Sequence, residues 1–142
     1  MKLGAIYSKE KTTFTLFSPV ADSVFVIFYD KGNDSAETGR LEMMRGEGEL
    51  RSIFSATAEG NLDGVYYTYE VHTSDGTFSS HDPYARACGV NGHRSMVIDL
   101  SKTDPDGFAD EDRPKLADPM SMVITEVSVA DVSAGCLLYT SD

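Results

Sequence analysis

The segment Val65-Tyr66-Tyr67-Thr68-Tyr69-Glu70-Val71-His72 limits what this chain can fold into more than any other stretch. Its β-branched and aromatic residues suit a pleated strand rather than a helix. Val65, Tyr67, Tyr69 and Val71 fall on one face, and Tyr66, Thr68, Glu70 and His72 on the other. Asp63-Gly64 precedes it as a turn signal. Ser74-Asp75-Gly76 follows, so that Thr77-Phe78-Ser79 reads as the return strand of a hairpin.

The same period recurs along the chain. Thr12 to Phe17 alternates until Ser18-Pro19 stops it, and Ser23 to Tyr29 runs into the turn cluster Asp30-Lys31-Gly32-Asn33-Asp34. Weaker strands are expected at Arg40–Met44 and Arg51–Thr57, and a further one at Ser95–Leu100. No helical period emerges before Leu100. Short strands at 8–12-residue spacing with turns between them predict an all-β, immunoglobulin-like antiparallel β-sandwich over residues 3–100. Residues 101–120 carry Asp104, Asp106, Asp110, Glu111, Asp112 and Asp118 with three prolines, which reads as an extended acidic linker. The run Met122 to Val129 is a strand without a hairpin partner, as if opening another domain.

A chain of 142 residues suits one domain. With 12 basic and 23 acidic residues its net charge is −11, which argues against nucleic acid and anionic membrane as partners. No apolar run approaches the ~20 residues of a membrane helix. Met1-Lys2-Leu3-Gly4 shows no signal-peptide core, so a chain starting there is expected in the cytoplasm. Cys88 and Cys136 are far apart and read as free or buried thiols.

Signals for chemistry are sparse. There is no G-x-S-x-G, phosphate loop or G-x-G-x-x-G. His72, His81 and His93 read as surface or loop histidines. His81, Cys88 and His93 match no structural zinc spacing, and Asp104-Pro105-Asp106-Gly107 places its glycine too early for an EF-hand. No cofactor or metal is expected. The tyrosines Tyr66, Tyr67 and Tyr69 admit two readings: a platform for sugar rings, or a strand that is half core and half sheet surface. The chain has no tryptophan, the best such platform.

Several stretches resemble a known family. Leu3-Gly4-Ala5-Ile6-Tyr7 and Thr13 to Ala21 resemble the opening of debranching enzymes. Leu62 to Val71 is similar to their L-x-G-x-Y-Y-x-Y-x-V strand, and Asp82-Pro83-Tyr84-Ala85-Arg86-Ala87 with Val90 to Ser95 and Val97 to Leu100 is the most specific match. These resemble the N-terminal carbohydrate-binding module (family 48) of type I pullulanases in glycoside hydrolase family 13. Val123 to Ser133 keeps the frame of the strand that opens the family's catalytic (β/α)8 barrel, so residues 121–133 are expected to be its remnant. Thr125, Ser128 and Ala130 stand where the family has Tyr, His and Arg. Cys136 to Asp142 resembles translated sequencing-adapter read-through, and residues 134–142 are treated as a non-native tail.

The resemblance implies a non-catalytic module whose parent hydrolyses α-1,6-glucosidic bonds. The nucleophile and acid lie in the barrel, so no residue here is expected to be catalytic. The implied partners are that barrel and an α-glucan, the latter held weakly or not at all. Arg51 stands where the family often has Trp, and Phe17 replaces another usual Trp as an expected core residue. Tyr66, Tyr67 and Arg51 are the weak candidate glycan contacts. Asp82, Pro83, Tyr84 and Glu126 are the candidates for packing between domains, the first three as a rigid turn carrying an aromatic. The alternative is a free-standing α-glucan-binding or protein-interaction sandwich.

Overall fold

The computed structural model describes residues 2–112 and 115–128. Among them are nine strands: β1 (Gly4–Tyr7), β2 (Lys11–Phe17), β3 (Ser23–Tyr29), β4 (Glu37–Arg45), β5 (Ile53–Glu59), β6 (Tyr66–Thr73), β7 (Gly76–Ser80), β8 (Ala87–Cys88) and β9 (Ser95–Met96). The only helical elements there are single 3-10 turns such as Gly48–Leu50 and Leu100–Lys102. Every strand pairing is antiparallel, along the path β1-β2-β5-β4-β3-β6-β9-β8, with β7 also on β6.

The path curls into two layers because β4 belongs to both. Its first part pairs with β3, down to Met43 opposite Val24. Met44 and Arg45 then pair with Ser55 and Phe54 of β5. Arg45 braces this bend: its guanidinium lies 4.8 Å over the Phe54 ring and donates to the carbonyls of Ala21 and Asp22.

Alternation sets the core. Phe14 and Leu16 of β2, Val24 and Val26 of β3, Met43 of β4, Phe54 of β5 and Tyr67 and Tyr69 of β6 face inward and are buried, with Ala21 and Val97. Each large side chain buried this way contributes about 1.5–3 kcal/mol. Phe14 meets Tyr67 edge-on with ring centres 5.0 Å apart. Phe17, expected in the core, is exposed: it follows inward-facing Leu16, and a period of two turns it to solvent. Thr12 lies inward on the same strand, and its buried hydroxyl has no hydrogen-bond partner among the described residues.

Two compact units divide the chain, residues 1–104 and 105–142. In the second, Asp118 accepts a hydrogen bond from the Met120 N–H (3.0 Å) and so caps the 3-10 turn Pro119–Ser121. Residues 122–128, where the sequence predicts a strand, join no ladder, and Val123 and Ile124 are exposed. The expected strand continues into residues outside the described ones, as does the tail with Cys136.

Candidate functional site

The corner Asp82-Pro83-Tyr84 is where the core reaches the surface. Asp82 is only 2% exposed. Its Oδ2 accepts hydrogen bonds from the Tyr67 hydroxyl (2.7 Å) and the Tyr69 hydroxyl (3.2 Å). Its Oδ1 accepts from the Tyr84 N–H (2.8 Å), and its own N–H donates to Ser95 Oγ (2.8 Å). The side-chain bond two residues on is an Asx turn, and the Ala85 N–H closes it onto the Asp82 carbonyl. Pro83 fixes its own backbone angle and has no N–H to leave unpaired. Burial first, and then the neighbouring Asp82 carboxyl, push the Tyr67 and Tyr69 hydroxyls far above the usual phenol range. Both therefore stay donors.

The result is a tyrosine held out from a fixed base. Tyr84 is 51% exposed. It presses on Gly4, where φ is +88° and an added Cβ would fall 2.8 Å from Tyr84 Cβ and 3.3 Å from its carbonyl oxygen. Only glycine meets both conditions. Beside Tyr84 lies a groove of about 370 Å³, whose lining includes Ile6, Tyr7, Arg86, Ile98 and Leu100. At one end of it the chain leaves the sandwich through a clasp. The Lys102 ammonium sits 2.6 Å from Asp63 Oδ2, and Asp63 Oδ1 accepts the Asp99 N–H (2.8 Å). The Lys102 hydrogen bond holds the Asp63 carboxyl below its ordinary range, and Ser101 does the same for Asp99.

The sequence-derived site residues separate on this frame. Asp82, Pro83 and Tyr84 come together; Asp82 is enclosed and its carboxyl positions Tyr84. Tyr67 has 0% exposure and its ring lies in the core, so the expected glycan contact by Tyr67 is set aside. Tyr66 points to the other face, half-buried, with its ring against Gly32. Arg51 is exposed between the Gly48–Leu50 turn and β5, in the layer opposite β6, so it does not join Tyr66. Glu126 is exposed in the second unit. Cys88 is a free, exposed thiol.

A second concavity was not singled out by the sequence. A cleft of about 450 Å³ is lined by Thr68, Ser79, Ser80, His81, Asn91, Gly92 and His93, and no carboxylate lines it. Next in sequence to its 91–93 stretch, Arg94 donates to the Lys31 carbonyl (2.8 Å), Ser35 Oγ (2.8 Å) and the Ser35 carbonyl (2.9 Å). The same guanidinium stacks 3.6 Å over the Tyr29 ring. Under this latch the loops touch backbone to backbone: a Cβ at Gly89 would fall 2.5 Å from Gly32 Cα. Asn91 holds φ +53°, a left-handed conformation asparagine tolerates. That Asn91 lines one cleft with Ser79 and His81 depends on non-local pairing. No group of three His, Cys, Asp or Glu side chains able to hold a metal occurs among the described residues.

A rigid β-sandwich with an outward-held aromatic corner and a polar cleft defines a binding module. The chain belongs to the carbohydrate-binding module 48 family (isoamylase N-terminal domain), whose profile matches residues 2–85. It is 31% identical over 116 residues to Pullulanase A of Streptococcus pneumoniae serotype 4, covering 77% of this chain and 9% of that protein. It is 28% identical over 133 residues to the pullulanase of Bacillus subtilis strain 168, covering 93% and 17%. Among solved structures it is similar to the Paenibacillus barengoltzii pullulanase complexed with maltohexaose and alpha-cyclodextrin (34% identity, TM-score 0.76, 83% of this chain and 18% of that one). It is also similar to the pullulanase from Bacillus acidopullulyticus (35% identity, TM-score 0.75, 83% and 14%). The chain thus spans less than a fifth of these relatives.

Proposed function

We propose that this chain serves as the non-catalytic N-terminal module of a pullulanase-type debranching enzyme, one that hydrolyses α-1,6-glucosidic bonds of an α-glucan in a separate catalytic barrel. The module packs against that barrel through the Asp82–Tyr84 corner. The observation that carries this is the pairing of a fully satisfied, enclosed Asp82 with a half-exposed Tyr84 beside an open groove. A turn that only closed the sandwich would not need to hold a large aromatic in solvent, and aromatic anchors of this kind are what interfaces use. The pullulanase relatives, which extend far beyond the matched region, support the same reading.

Glycan contact falls to the polar cleft rather than to the β6 tyrosines. Ser79 and Ser80 supply hydroxyls, and Asn91, His81 and His93 supply an amide and imidazoles. These match the donors and acceptors of glucose hydroxyls. With no aromatic platform in the cleft, affinity is weak, on the order of millimolar.

The test is a chimera in which residues 2–104 replace the matching segment of the Paenibacillus barengoltzii pullulanase. Retained pullulan hydrolysis and heat resistance, both lost when the segment is deleted, are expected. A chimera no more heat-resistant than the deletion overturns the packing role. Titration of maltohexaose into this chain, followed by amide NMR, tests the cleft: shifts at Ser79 and Asn91 are expected, and their absence at 20 mM ligand removes glycan contact from the account.

A further inference from the structure

We infer that the groove beside Tyr84 receives an acidic segment bearing an apolar side chain, supplied by the catalytic part of the enclosing enzyme; this rests on the packing reading above and names its partner's chemistry. The groove is apolar where it is open: Ile6 (42%), Tyr84 (51%) and Leu100 (44%) are exposed together on it. Two cations also line it, Lys2 and Arg86, and neither makes an ion pair within the described residues.

The chain as a whole carries a net charge of −11. Arg40 is bound by Glu37 and Glu70, Arg45 and Arg94 by backbone carbonyls, and Lys102 by Asp63. Lys9, Lys11, Lys31, Arg51 and Lys115 also make no ion pair among the described residues, but none of them lines the groove. The one carboxylate lining the groove is Asp99, and it is already engaged. Its Oδ1 accepts from the Ser101 N–H (3.1 Å) and hydroxyl (2.7 Å), and its Oδ2 lies 3.9 Å from the Lys102 ammonium. The free charge at the groove is therefore positive. Exposed apolar side chains with two unpaired cations among the same lining residues select a segment that inserts an aliphatic or aromatic side chain between carboxylates. A basic or purely apolar segment would leave Lys2 and Arg86 unmatched.

The probe is the peptide acetyl-Glu-Phe-Glu-amide against acetyl-Lys-Phe-Lys-amide, titrated into the full chain and read by amide NMR at 20 mM and 500 mM NaCl. The acidic peptide should shift Ile6, Arg86 and Leu100 and bind about tenfold tighter than the basic one at low salt. High salt should erase most of that preference. The double variant Lys2→Glu, Arg86→Glu should reverse it, while Lys31→Glu should leave it unchanged. Equal binding of the two peptides, or shifts confined to other surfaces, overturns the inference. Neither result touches the packing reading, which stands or falls on the chimera.

Discussion

The Tyr67 hydroxyl donates to Asp82 Oδ2 across 2.7 Å, joining the middle of the core to the turn that carries Tyr84. With Tyr69 on the same oxygen and Ser95 on the Asp82 N–H, one enclosed aspartate ties β6, β9 and the corner together. Removing it strands two buried hydroxyls. Asp82→Ala should cost about 3 kcal/mol and Tyr67→Phe about 1–2 kcal/mol in urea unfolding. Because burial and Asp82 raise both phenols, Tyr67 and Tyr69 stay protonated where exposed tyrosines ionise. The unfolded chain then ionises first, so stability should fall as pH rises above about 10. Absorbance at 295 nm should show two tyrosines titrating only on unfolding.

Arg94 holds two loops with a planar fork and a stacked face, and lysine can reproduce neither. Arg94→Lys should destabilise by about 2 kcal/mol. It should also broaden the amide signals of Asn91 and Gly92, because the loop that carries them loses its tie to Lys31 and Ser35. Unchanged stability and signals would show that the Gly32–Gly89 contact suffices by itself.

The Lys102 clasp gives the acid limb of the stability profile. Asp63 and Asp99 have depressed folded-state values, so the stability they contribute is present above the ordinary carboxylate range near pH 4. It is lost as pH falls through their folded values. Melting temperatures from pH 2 to 7 should show Lys102→Met below wild type at neutral pH and converging with it at the acid end. A constant gap would mean that Lys102 acts by packing alone.

Thr12 is a reserve of stability. Its buried hydroxyl has no partner among the described residues, so Thr12→Val removes a desolvated polar group at nearly equal shape. A gain of about 1 kcal/mol in urea unfolding is expected. A loss would reveal a bound water at that hydroxyl.

Much of this fold was legible in local pattern. Ser23 to Tyr29 reads as a strand at both ends because a β-branched and aromatic run meets a cluster of turn residues, and β3 has those bounds. The two faces of β6 were likewise readable from alternation. What alternation could not say is which partners close over each face. Tyr67 was a candidate for sugar contact, but its face is covered by the core, and its hydroxyl is taken by Asp82, 15 residues on. Ser95 to Leu100 forms a ladder of only two residues because Val97 turns to bond Val65 and Gly64 instead. The two-residue β8 carries too little pattern to stand out. The cleft is assembled from β6, β7 and the 91–93 turn, and no local spacing announces three separated stretches.

Comparing Tyr84→Ala in two settings tests the central claim most directly. In this chain alone the variant should melt within about 1 °C of wild type, since the Tyr84 side chain is half in solvent and its backbone N–H bond to Asp82 remains. In the pullulanase chimera the same change should lower the first melting transition by several degrees, on the order of the 2–4 °C per kcal/mol of larger domains. That difference is what a docking aromatic produces. Equal shifts in the two settings would make Tyr84 part of the sandwich's own stability and would contradict the account.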